Sequence, residues 1–119
     1  MRYILYGIGD QFSPDEQIQQ LVDYIRSQIS QPSLTRPRQL AEPQRIDFSQ
    51  VGQSTFVDRL LSGRRNGFFV ECSAYDGQNL STSLFFELAR NWTGLLIEAT
   101  PDFHLALLDI NRRAYVLGA

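Results

Sequence analysis

The strongest constraint on the fold is the alternation of apolar runs and helical stripes in the C-terminal part of the chain. Residues 68–72 (FFVEC) and 94–98 (GLLIE) have the continuous apolar character of buried parallel strands, and each carries an acid at its end. A helical stripe covers residues 81–90, a capped helix starts near residue 101, and residues 114–117 resemble a third strand. Strands that alternate with short helices predict a βαβαβ unit with right-handed crossovers, which is half of a doubly wound α/β fold.

The N-terminal half predicts a helical lead-in with a proline-rich connector. A capping box (Ser-Pro-Asp-Glu) followed by apolar residues at helical spacing predicts a helix over residues 14–30. Three prolines in residues 31–50 predict an extended connector, and a shorter helix is predicted over residues 54–61. We therefore divide the chain into a lead-in, residues 1–66, and the βαβαβ region, residues 67–119.

Composition excludes several classes of catalytic site. All eleven basic residues are arginines, which excludes a lysine nucleophile, a Schiff base and a P-loop lysine. The one cysteine, Cys72, excludes an internal disulfide and a multi-cysteine zinc site, and the one histidine, His104, excludes a two-histidine metal site. We predict that Cys72 is buried inside its strand. The net charge of −2 gives no electrostatic attraction to nucleic acid.

No stretch of the sequence is long and apolar enough to span a bilayer. Residues 1–9 are apolar but end at Asp10, whereas a membrane-spanning helix needs about 20 apolar residues. The segment is also too short, and lacks the cleavage site, for a signal peptide. We expect the printed chain to be soluble, and an anchor upstream in a longer product stays open.

Two acids fall where a parallel sheet binds ligands, at the carboxyl ends of neighbouring strands. Glu71 and Glu98 occupy these positions, and a carboxylate such as Glu98 can accept both hydroxyls of a ribose. The start of the helix after the first strand offers backbone donors to an anionic group. The turn before that helix has a single glycine, Gly77, and no G-x-G-x-x-G pattern, which disfavours a pyrophosphate cofactor such as NAD. S-adenosylmethionine fits better, while a fold without a bound cofactor stays equally open on these grounds.

Three segments of the βαβαβ region resemble the FkbM-type methyltransferase domain, and most closely its animal Star-like subgroup. They are residues 67–77 (GFFVECSAYDG), residues 91–103 (NWTGLLIEATPDF), and Leu107 with Asn111-Arg112. Residues 51–61 (VGQSTFVDRLL) resemble the lead-in helix of that subgroup. The resemblance covers about residues 14–119 and implies a Rossmann-like class I methyltransferase fold that binds S-adenosylmethionine.

The resemblance also implies the cofactor-binding residues. Glu71 would be the acid of the first cofactor motif, and Glu98 would be the acid that binds ribose. The methionine end of the cofactor would be lined by Ser73, Ala74 and Gly77. The resemblance implies no catalytic residue and no metal site.

Two positions differ from the family pattern. Ser73 stands where the family usually has glycine, and Thr100 stands where it commonly has asparagine. If residue 73 has a positive φ, a serine there costs about 1–2 kcal/mol, and its side chain crowds the ligand. Both differences weaken the expected cofactor affinity.

A complete family domain continues through further strands, which carry the adenine-contacting wall, the substrate pocket and any general base. We therefore expect this chain to be a fragment or a truncated gene model, inactive by itself. We also expect it not to fold stably alone, because its last strand would have an unpaired edge.

The resemblance implies two alternative functions. The first is O-methyl transfer from S-adenosylmethionine to a small-molecule or glycan acceptor, in the cytoplasm. The second is non-catalytic: a Star-like protein that escorts membrane-protein cargo from the endoplasmic reticulum to the Golgi in growth-factor receptor signalling, on endoplasmic reticulum, Golgi or endosomal membranes. The serine at position 73 favours the second function, and the family's name favours the first.

Overall fold

The computed structural model describes residues 12–119, and the apolar start discussed above, residues 1–9, lies outside the described residues. Four helices and four strands in this part of the chain form a small α/β unit. In chain order they are α1 (Pro14–Ser27), β1 (Ile29–Ser30), α2 (Gln53–Leu60), β2 (Phe68–Cys72), α3 (Leu84–Arg90), β3 (Thr93–Glu98), α4 (Pro101–Ile110) and β4 (Tyr115–Gly118). Between residues 12 and 119, no helix is long and apolar enough to cross a membrane.

The strands form one mixed sheet in the order β1-β4-β3-β2. β2, β3 and β4 are parallel, with Phe69 opposite Gly94 and Leu96 opposite Val116. β1 runs antiparallel to β4. The three parallel strands and their two crossover helices confirm the predicted βαβαβ order, and the sheet also contains the antiparallel strand β1.

The sheet is covered closely on one face only. Phe69, Leu96 and Val116 lie on the covered face, where they form the core with Leu107 of α4. α4 packs on this face through Leu107, and Trp92, which follows α3, packs against the same core.

The other face of the sheet is exposed at β2, so the prediction of strands buried on both sides is wrong there. Phe68 is 57% exposed and Val70 is 61% exposed, and both belong to β2. Cys72 alternates with them on this face and is also exposed, so the prediction of a buried cysteine is wrong. Cys72 is exposed because neither crossover helix covers this side of β2.

The N-terminal boundary of the sheet also differs from the prediction. The first helix ends at Ser27, and Ile29 and Ser30 leave it to pair with Leu117 and Val116 of β4. The expectation that the last strand has an unpaired edge is therefore wrong, because the lead-in supplies hydrogen bonds to the backbone of β4. Within residues 12–119 the open edge belongs to β2, which pairs only with β3.

The proline-rich connector is anchored to the C-terminal end of α4. Asn111 is buried, and its side-chain amide donates to the carbonyls of Ser33 and Arg36, both at 3.0 Å. Its Oδ1 accepts the backbone N–H of Ser33 at 2.9 Å. The connector is thus packed against the βαβαβ region, and the division at residues 66 and 67 stays a prediction.

Candidate functional site

Glu98 ends β3 and joins two turns at the C-terminal edge of the sheet. Its Oε2 accepts the backbone N–H of Tyr75 at 2.7 Å, and its Oε1 accepts the backbone N–H of Thr100 at 3.0 Å. The residue is only 7% exposed. The N–H groups of Thr100 and Tyr75 hold the pKa of the Glu98 carboxyl below its usual value, although burial acts in the opposite direction. Glu98 is therefore an ionised carboxylate at neutral pH.

The Glu98 carboxylate keeps acceptor capacity for a ligand. An ionised carboxylate offers about four acceptor positions. The two backbone hydrogen bonds described above use one position on each oxygen. The Thr100 hydroxyl and the Ala99 N–H also act on this carboxylate and lower its pKa, so a ribose hydroxyl would compete with them for the remaining positions.

Glu71, the other predicted acid, binds to the segment before α3. Its carboxylate accepts the Ser81 hydroxyl at 2.9 Å, the Ser83 hydroxyl, and the backbone N–H of Thr82 at 3.0 Å. The backbone donor expected to meet an anionic ligand at the start of this helix is thus bound by Glu71 itself. The two acids, which the sequence predicts as one pair, hold different segments of the chain.

The turn after β2 contains left-handed residues that are not glycine. Ser73 has φ +56° and Tyr75 has φ +57°. The condition under which the serine costs energy is therefore met, because a left-handed conformation disfavours a residue with a Cβ. The Ser73 residue is exposed to solvent.

The other two predicted residues of the turn face the core. Ala74 is buried, and its N–H donates to the carbonyl of Ile97 at 3.0 Å. Gly77 has φ +84°, and a Cβ there would lie 2.7 Å from Cδ2 of Leu107. Glycine is required at this position both for its conformation and for the close packing of α4. These two residues could contact a ligand only through their backbone.

An aromatic pair lies beside Glu98 and was not predicted. The rings of Tyr75 and Phe103 are 4.2 Å apart between centroids, at an interplanar angle of 57°. Tyr75 is 42% exposed. Phe103 belongs to α4, and nothing in the spacing of the sequence linked it to the turn after β2.

A buried arginine, Arg112, lies under the turn and the segment that follows it. Its Nη1 donates to the carbonyl of Gly77 at 3.0 Å and to the Ser81 hydroxyl at 3.2 Å, and its Nη2 donates to the Ser83 hydroxyl at 3.0 Å. The same guanidinium is 3.7 Å from Oε2 of Glu71. The side chain of Arg112 has no exposed surface.

Glu87 of α3 neutralises this arginine. Its side chain is fully buried, and Oε1 accepts Nε of Arg112 at 3.1 Å. Oε2 accepts Nε of Arg38, from the connector, at 2.6 Å and the backbone N–H of Arg113 at 3.0 Å. One sequence signal could have identified this acid: Glu87 lies three residues after Leu84, on the apolar stripe of its helix.

The one histidine is close to this edge of the sheet but holds no polar partner there. The His104 ring packs on Gly118 so closely that a Cβ on that glycine would lie 2.8 Å from the ring. Its Nε2 is buried without a hydrogen-bond partner among the described residues. Nor does the described part of the chain contain three metal-binding side chains close enough to hold an ion.

No family model, no curated protein and no solved structure matches this chain. The ionised Glu98, the strained turn that it binds and the buried arginine under that turn are thus the features that bear on function.

Proposed function

We propose that the βαβαβ region is the cofactor-binding half of an FkbM-type methyltransferase that uses S-adenosylmethionine. The observation that carries the proposal is the position of Glu98. It is an ionised carboxylate at the carboxyl end of a parallel strand, and it is held against the turn that follows the neighbouring strand. Ligands of open parallel sheets bind at this edge.

The residues present fit the cofactor in part. Glu98 would accept the ribose hydroxyls at positions that the N–H groups of Tyr75 and Thr100 do not use. Ser73 and the backbone of Ala74 and Gly77 would line the methionine end, and Glu71 would support this turn through the segment before α3. The left-handed Ser73 opposes tight binding.

When bound, the cofactor would supply an electrophilic methyl group, and the chain would contribute position and orientation. The acceptor in this proposal is a hydroxyl of a small molecule or a glycan. The acceptor pocket would be formed by elements other than the turn and Glu98.

A second function is a non-catalytic, Star-like escort of membrane-protein cargo. The observation that favours it is that both acids are already bound by groups of the chain itself. Glu98 is held by two backbone N–H groups, and Glu71 is held by the segment before α3. A fold that uses its strand-end acids to fix its own turns needs no cofactor to complete them.

Calorimetric titration with S-adenosylmethionine separates the two functions. We expect Ser73→Gly to tighten binding by about tenfold, which corresponds to about 1.4 kcal/mol, because it removes the Cβ and hydroxyl that would crowd the ligand. Glu98→Ala should abolish binding because it removes the acceptor of the ribose hydroxyls. Glu16→Ala is the matched control: Glu16 also accepts a backbone N–H, that of Ser13 at 2.7 Å, but it lies on α1.

If neither the unmodified chain nor Ser73→Gly binds the cofactor, the methyltransferase proposal is wrong and the escort function is favoured. If the unmodified chain binds at micromolar strength and Ser73→Gly changes nothing, the cofactor does not approach the turn after β2.

A further inference from the structure

We infer that Arg112 is the positioning residue of the proposed cofactor site, fixing the turn after β2 from the core side. This inference rests on the proposed function for its meaning, but the geometry that supports it does not. Four N–H groups of the guanidinium make hydrogen bonds, and three of these go to the segment from Gly77 to Ser83. No other residue of the described chain contacts that segment through so many charged donors.

Arg112 acts on both ends of the site. At one end it holds the carbonyl of Gly77, the last residue of the turn that would line the methionine end. At the other end it holds the hydroxyls of Ser81 and Ser83, and these same hydroxyls donate to the Glu71 carboxylate. A change in the guanidinium position would therefore move the turn and the first strand-end acid together.

The contacts require the forked shape of arginine. The acceptors on Gly77, Ser81 and Ser83 are bound by the two Nη groups, whereas Oε1 of Glu87 accepts Nε. A planar guanidinium presents five donors in fixed, diverging directions, whereas a lysine ammonium presents three donors from a single atom. Lysine would keep the charge beside Glu87 but could not hold all of these acceptors.

Arg38, the other arginine that Glu87 binds, supplies a matched control for Arg112. The Glu87 carboxylate binds two arginines, Arg112 by Oε1 and Arg38 by Oε2. Arg38 comes from the connector and does not contact the turn, and it is 29% exposed. A purely structural role, in which arginine merely neutralises Glu87, predicts that neither substitution changes exchange in residues 73–83 more than exchange in β3.

The experiment compares Arg112→Lys with Arg38→Lys by hydrogen exchange and by titration with S-adenosylmethionine. We expect Arg112→Lys to speed amide exchange in residues 73–83, relative to β3, by about tenfold or more, because local opening no longer breaks these hydrogen bonds. Cofactor affinity should fall by about tenfold in the same variant. Arg38→Lys should change both quantities by less than about threefold. Ser83→Ala removes one acceptor of Arg112 and one donor to Glu71, and it provides a milder variant should Arg112→Lys fail to fold. It should speed exchange in the same segment.

Equal effects of Arg112→Lys and Arg38→Lys would overturn the inference, as would unchanged exchange of residues 73–83 in both Arg112→Lys and Ser83→Ala. If the unmodified chain does not bind S-adenosylmethionine, the proposed function fails. The exchange comparison then still decides whether Arg112 positions the turn.

Discussion

Glu71 and Glu98 both lie near the carboxyl ends of neighbouring parallel strands, but their partners differ in kind. Glu71 is bound largely by hydroxyl groups, those of Ser81 and Ser83. Glu98 is bound by two backbone N–H groups, which cannot reverse their direction. A hydroxyl can donate or accept, so it adapts to a change of partner. Position 98 therefore requires a carboxylate, whereas position 71 could accommodate the amide of a glutamine.

The largest effect should come from removing Arg112, the buried cation beside Glu71. Arg112→Met leaves Glu87 buried with one arginine instead of two and removes the support of the serine hydroxyls. We expect a loss of about 3–5 kcal/mol in the free energy of unfolding, because Glu87 keeps only Arg38 as a counter-charge and the carbonyl of Gly77 loses its buried donor. Urea denaturation measures this loss. Arg45→Met, which breaks the exposed pair with Glu42, should cost at most about 1 kcal/mol, and a similar cost at both positions would contradict the prediction.

The next largest effect should come from Glu98→Gln. The amide can accept one of the two backbone N–H groups, but its NH₂ then faces the other donor. We expect a loss of about 1–3 kcal/mol, the usual cost of a buried polar group without a partner. Urea denaturation at pH 7 tests this value, and an unchanged midpoint would show that the two N–H groups find other acceptors.

The stabilisation by Glu98 should depend on pH. Its pKa is lower in the folded chain than its ordinary value of 4.5, so folding favours the ionised form. The contribution is therefore complete above the unfolded-state pKa and is lost as the pH falls through the folded-state pKa. The difference in unfolding free energy between the unmodified chain and Glu98→Gln should shrink when denaturation is repeated below about pH 4.5. If the difference in unfolding free energy grew as the pH fell, the folded-state pKa of Glu98 would be raised, not lowered.

A smaller effect is expected for Glu71→Gln, the matched change on the other acid. The amide oxygen can keep the N–H of Thr82, and the NH₂ can donate to the Ser83 hydroxyl, whereas the Ser81 hydroxyl already accepts Nη1 of Arg112 and the N–H of Leu84. We expect a loss of about 0.5–1.5 kcal/mol, the net value of one ordinary hydrogen bond, with some of it due to the lost charge beside Arg112. Urea denaturation of both glutamine variants tests this order. A larger loss of unfolding free energy for Glu71→Gln than for Glu98→Gln would contradict it.

The smallest effect on stability should be that of Ser73→Gly, and it should be favourable. The change removes the cost of a left-handed residue with a Cβ but adds freedom to the unfolded chain. We expect a net gain of about 0.5–1 kcal/mol. Tyr75→Gly has the same change in backbone preference, but it also deletes the ring packed on Phe103 and should be destabilising. A gain for Tyr75→Gly would show that the aromatic pair does not stabilise the turn.

The parallel part of the sheet could be predicted because its signals are local. The apolar run of β2 was placed from Phe68 to Cys72, as observed, and β3 was placed within one residue of its start at Thr93. The capping box at Ser13 fixed the start of α1. In each case the residues that set the boundary lie next to the element itself.

The missed features depend on contacts between distant parts of the chain. β1 has only two residues, Ile29 and Ser30, which is too short for any periodicity, and its pairing is decided by the open edge of β4. The burial of Arg112 is decided by Gly77, Ser81 and Ser83, none of which is near it in sequence. Both acids were predicted near the ends of their strands, but the groups that bind them were not. These groups are backbone N–H and serine hydroxyl groups that come close only when the chain folds.

The anchoring of the connector has a consequence for the order of folding. Ser33 and Asn111 are 78 positions apart, so their hydrogen bond closes a loop that contains most of the described chain. The entropy of closing such a loop must be lost before its contacts stabilise the chain, whereas each strand-helix-strand unit closes a much shorter loop. The parallel strands should therefore assemble first, and the connector with β1 should dock late. In refolding experiments, a substitution at Asn111 should mainly accelerate unfolding, whereas a substitution at Leu96 should slow folding.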